Sequence, residues 1–81
     1  MKAKVYVTLK KSVLDPQGKT IQSALDTMGF HEVDAVRCGK MIEVSFKPSV
    51  KSESVEANVK KMCEKLLANT VIEDYRYEIV S

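Results

Sequence analysis

Val5, Val7 and Leu9 alternate with Tyr6 and Thr8, the two-residue repeat of a strand with one face buried and the other wet. The period then changes. Ile21, Ala24, Leu25 and Met28 stand at i, i+3, i+4 and i+7, a stripe along one side of a helix. Asp15 and Pro16 open that helix: the aspartate is an N-cap acceptor, and proline suits the first helical position, where a missing N–H costs nothing. Gly29 closes it, because glycine readily takes the left-handed conformation that ends helices. Val33–Cys38 and Met41–Phe46 then read as two strands joined at Gly39-Lys40, a hairpin signal. In the second of these, Ile42, Val44 and Phe46 alternate with Glu43 and Ser45.

Pro48 stops that strand, and Lys47–Ser54, the most polar stretch, reads as a mobile loop. A second helical stripe follows, made by Val55, Val59, Met62, Cys63, Leu66 and Leu67. Glu56, Lys60, Lys61, Glu64 and Lys65 lie off it, and Asn69 reads as its terminator. The run Thr70–Val80 is rich in β-branched and aromatic residues. Its alternation sets Tyr75, Tyr77 and Ile79 against Asp74, Arg76 and Glu78. The predicted order is β-α-β-β-α-β over a single domain, residues 1–81. This is an α+β fold in which a four-stranded antiparallel sheet carries two helices on one face, ferredoxin-like in outline.

A chain of 81 residues has a thin core, burying only about 60% of the surface its unfolded form exposes. Two cysteines, Cys38 and Cys63, are too few for a disulfide scaffold and lack metal or redox spacing. Cys63 falls on the second helical stripe and reads as a small core hydrophobe. Added stability is therefore expected from oligomerisation or a larger partner. Thirteen basic and eleven acidic residues give a net charge of +2 and are interspersed, a solubility pattern rather than a nucleic-acid footprint. No apolar run reaches the roughly 20 residues of a membrane span. The N-terminus enters a strand with no signal-peptide apolar region, so the expected location is the cytoplasm.

Candidate chemistry is sparse. His31 is the only histidine, beside a glycine turn, and spacing pairs no serine or cysteine with it. Glu73 and Asp74 are adjacent, but in a strand they point to opposite faces. Gly18-Lys19 at a helix start offers free N–H groups to an anion, without the repeated glycines of a phosphate loop. An RNA-binding reading needs stacking aromatics on the central strands. The open face here offers Tyr6 together with Thr8, Glu43, Ser45, Arg76 and Glu78. On residues alone this is an interaction module with no catalytic, cofactor-binding or metal-binding group, docking through its open face or its edge strands.

Four segments add more: V-Y-V-T-L-K at 5–10, V-L-D-P-Q-G at 13–18, V-R-C-G-K at 36–40 and M-C-E-K-L-L-A-N-T-V-I-E-D-Y-R-Y-E at 62–78. Together they closely resemble the PurS family, the small subunit of phosphoribosylformylglycinamidine synthase in purine biosynthesis. The likeness covers nearly the whole chain and is weakest over 46–58. It implies an accessory subunit of an ATP-dependent ligase. In that complex a glutaminase subunit releases ammonia from glutamine. A large synthetase subunit, using ATP and Mg, converts formylglycinamide ribonucleotide to the amidine. The small subunit is implied to bridge the two as a homodimer or higher homo-oligomer and to help shelter the ammonia path. Catalytic groups lie on the partners. The bridging candidates are the connector residues Lys10, Lys11, Asp15 and Gly18, with Tyr6, Arg37 and Arg76 placed on the open face. Tyr75, Tyr77 and Ile79 are candidate core or dimer contacts. A free-standing ligand-sensing domain of the ACT kind is the alternative.

Overall fold

The computed structural model describes residues 1–81. Three strands form one antiparallel sheet: β1 (Lys2–Leu9), β2 (Gly39–Ser45) and β3 (Glu73–Val80), in the order β2-β1-β3. Two helices separate them, α1 (Pro16–Thr27) and α2 (Ser52–Met62), the second continued by a π-helical turn, Cys63–Leu67. Register sets the faces. Val5 lies opposite Ile42 on one side and Tyr77 on the other, and Val7 lies opposite Tyr75. These residues, with Ala3 and Val44, meet Val55, Val59 and Cys63 of the second helix in the core.

That core is small. Only nine of the 81 residues are buried, and none of the apolar side chains packed in or against the core comes from residues 8–41. Within α1 the one buried residue is Gly18. Ile21 is 42% exposed and Met28 70%. The helix therefore does not lie on the sheet. It extends from it as an arm with the returning segment 28–38, and the molecule measures 51 × 26 × 14 Å. Its radius of gyration, 16.3 Å, exceeds the roughly 12 Å of a compact domain of this length.

Four sequence expectations require correction. The stretch Val33–Cys38 is not a strand, so the sheet has three strands and not four. Its backbone groups are met by side chains: Gln22 Nε2 donates to the Asp34 carbonyl at 2.9 Å, and the Cys38 N–H donates to Asp15. The segment runs along α1, and two helices on one sheet face are not formed. Lys47–Ser54 is not wholly loop, because α2 starts at Ser52. Leu66, expected on the apolar stripe, is 81% exposed. There the ladder widens, the Ala68 N–H donating to the Cys63 carbonyl five residues back at 3.0 Å, which turns Cys63 and Ala68 inward together and Leu66 out.

The ends of α1 follow the sequence. Asp15 caps it, its Oδ1 accepting from the Gly18 N–H at 3.0 Å with Pro16 in the first turn. Gly29, at φ 99°, turns the chain back in the left-handed region.

Candidate functional site

The arm joins the sheet through two segments without regular structure, residues 10–15 going out and 36–38 coming back. Both are tied at this neck. Asp15 is 3% exposed, yet each of its carboxylate oxygens has a partner: Oδ1 accepts from Gly18 N–H, and Oδ2 from Cys38 N–H at 2.6 Å. The Cys38 and Gly18 amides hold this carboxyl below its ordinary 3.8, and the Arg37 charge adds to them against the opposing effect of burial. Arg37 makes the return tie. Its Nη2 donates to the carbonyls of Lys10 at 2.8 Å and Val13 at 3.0 Å, with Leu9 further off at 3.4 Å. Gly18 completes the joint, because a methyl on its Cα would overlap the Val36 carbonyl.

Lys10 is half-buried, its N–H donating to the Ile72 carbonyl at 2.9 Å, and Lys11 is exposed. An open cleft of about 250 Å³ adjoins the neck, with Gln17, Lys40 and Glu73 among its lining residues. No group of three or more His, Cys, Asp or Glu side chains is placed to hold a metal. His31 lies out on the arm, its Nδ1 2.8 Å from Asp26 Oδ1, both side chains solvent-exposed.

Arg37 was expected on the open sheet face. It lies instead at the neck, because the segment carrying it joins no strand. Nothing in the sequence reveals this clamp, since its acceptors are backbone carbonyls more than 20 residues away. Of the connector candidates, Asp15 and Gly18 are buried while Lys11 is open to solvent.

The face of the sheet away from α2 carries Tyr6, Thr8, Glu43, Ser45, Arg76 and Glu78 by register. The Arg76 guanidinium stacks 4.1 Å from the Tyr6 ring centroid, and the Tyr6 hydroxyl donates to Glu78 Oε1 at 3.3 Å. Lys2 pairs with Glu43 at 3.0 Å. The surface is thus polar and locally charge-paired around one aromatic ring. On the other face Tyr75 donates to Glu64 at 3.3 Å and Tyr77 to Glu56 at 3.2 Å. Burial, with these carboxylates, pushes both phenols up from 10.0. Ile79, on the same face, is 39% exposed.

Residues 2–81 match the PurS family of phosphoribosylformylglycinamidine (FGAM) synthase. The chain belongs to the PurS family. The PurS subunit of Bacillus subtilis phosphoribosylformylglycinamidine synthase is 58% identical over 78 residues, which cover 96% of this chain and 90% of that one. A crystal structure of Bacillus subtilis PurS superposes with a TM-score of 0.83 at 56% identity, covering 99% and 98% of the two chains. The structure of PurLQS from Thermotoga maritima contains a chain matching at a TM-score of 0.76 and 31% identity, over 98% of this chain and 95% of that one. A PurS protein is a subunit of FGAM synthase, a ligase of purine biosynthesis. The three-stranded α+β architecture with its two helices is the one these relatives share. No helix of the chain is long and apolar enough to cross a membrane.

Proposed function

We propose that this chain is the non-catalytic bridging subunit of a cytoplasmic FGAM synthase, holding the glutaminase and the ATP-dependent synthetase in register while ammonia passes between them. The observation that carries the reading is the near full-length match to a chain of the Thermotoga maritima PurLQS structure. The partners supply the chemistry: glutamine gives ammonia and glutamate at one, and formylglycinamide ribonucleotide gives the amidine at the other as ATP becomes ADP and phosphate. ATP and Mg belong to the large subunit, and neither nucleic acid nor membrane is a partner. The shape favours such a role, since a slender subunit with a projecting arm and a polar open face touches more than one neighbour at once.

The chain acts as a homodimer or higher homo-oligomer. A core of seven buried residues is small for 81 residues. The arm meanwhile leaves Leu14, Ile21, Met28 and Phe30 between 42% and 70% exposed, an apolar surface that a second copy would cover.

Reconstitution tests the bridging role. Glutamine-dependent amidine formation by the synthetase and glutaminase is measured with and without this chain, beside the ammonia-dependent reaction of the synthetase alone. Glutamine use that requires the chain supports the reading. Equal use of glutamine and ammonia without it overturns it.

A further inference from the structure

We propose that Asp15 and Arg37 are positioning residues that cross-tie the two segments of the neck and fix the direction in which the arm leaves the sheet. The ties are reciprocal. The outgoing segment gives a carboxylate to the returning backbone at Cys38 N–H, 2.6 Å away. The returning segment gives a guanidinium to the outgoing backbone at the Lys10 and Val13 carbonyls, 2.8 and 3.0 Å away. Each bond involves one charged group, the stronger class of hydrogen bond. Gly18 lets the start of α1 close against the Val36 carbonyl, where any side chain would hold the two segments apart.

Within one chain, little besides these ties and the Lys10 N–H bond to the Ile72 carbonyl holds the arm. It places no apolar side chain in the core, and neither neck segment has regular structure of its own. Released from Asp15 and Arg37, the two segments would act as a paired hinge, and α1 would swing relative to the sheet. The inference goes beyond the bridging role and does not depend on it.

The isolated chain tests it by NMR. In the wild type, residual dipolar couplings of α1 and of the sheet fit one alignment tensor. In the Asp15→Asn, Arg37→Met double variant the α1 couplings shrink and no longer fit the sheet's tensor, while the Val5 and Val59 amides stay protected. Amide exchange at Cys38 rises about tenfold or more in Asp15→Asn. It also rises in Arg37→Met, although Arg37 makes no bond to that amide, and Arg37→Lys restores part of the protection. If α1 and the sheet still share one tensor in the double variant, with Ile21→Glu added so that no second copy covers the arm, the cross-tie is not what fixes the arm. Unchanged Cys38 exchange in Arg37→Met likewise overturns the coupling of the two ties. Should the double variant unfold, Arg37→Met alone reads both quantities. Reconstitution with the partner subunits is a separate measurement, so failure of the bridging role would leave these outcomes readable.

Discussion

The carboxylate of Asp15 takes the backbone N–H of Cys38 at 2.6 Å across 23 positions of sequence, while its other oxygen caps α1 at Gly18. One side chain thus starts a helix and anchors the segment that returns from it. The sequence shows the first role at once, in the Asp-Pro pair. The second depends on where Cys38 arrives in space.

This arrangement sets a pH dependence. The Asp15 carboxyl is held below its ordinary 3.8, first by the Cys38 amide and then by the Gly18 amide. The folded state therefore binds a proton less readily than the unfolded one, so the carboxylate's stabilisation is complete above the unfolded value and is lost as pH falls through the lower, folded one. The Cys38 and Gly18 amide resonances are expected to titrate together, with a shared midpoint below 3.8. Separate midpoints, or one above that value, would contradict the shared carboxylate.

Burial of Val59 at 0% exposure, between Val55 and Cys63, makes it a centre of the small core. Val59→Ala removes two buried methyl groups and leaves a cavity, a loss of about 2 kcal/mol. Chemical denaturation is expected to show a lower midpoint at unchanged slope. A domain with so few buried residues has little margin, so the same change is expected to reduce soluble yield.

The parts of this fold that can be read from sequence are those whose partners are close along the chain or whose burial follows a simple period. The alternation of Val5, Val7 and Leu9 and of Tyr75 and Tyr77 is visible without a structure, as are the cap at Asp15 and the stop at Gly29. Val33–Cys38 misleads because its β-branched residues resemble a strand, while its backbone bonds go to the Asp15 and Gln22 side chains. Leu66 misleads because a π turn shifts the register of the helix by one residue, and nothing in C-E-K-L-L announces the wider ladder. The place of Arg37 at the neck, and not on the open face, is not legible, since backbone acceptors leave no side-chain signature.

The two thiols are expected to differ. Cys63 is fully buried, and burial followed by the Glu64 charge raises its thiol above 9.0. Cys38 is partly exposed. Because the thiolate is the reactive form, alkylation of the native protein at mildly alkaline pH is expected to label Cys38 and spare Cys63, with both labelled after denaturation. Equal native labelling would mean that the core opens at the second helix.

The arm supplies the last prediction. Ile21 is 42% exposed on the apolar stripe of α1, with Leu25 one turn on and Met28 beyond it. None of these side chains belongs to the core. Ile21→Glu is therefore expected to leave the chain's own folding nearly unchanged, since exposed substitutions usually alter stability by no more than about 0.5 kcal/mol. Its effect falls on association, because a charge on the stripe has to be desolvated when a second copy covers it. Light scattering is expected to show the wild type as a dimer or larger and the variant shifted towards monomer, with the far-ultraviolet circular dichroism of the sheet and α2 retained. If the variant keeps the wild-type mass, the stripe is not the surface through which copies associate. Association would then have to run through the open sheet face around Tyr6 and Arg76 or through the outer edges of β2 and β3, the strands whose far sides have no neighbour.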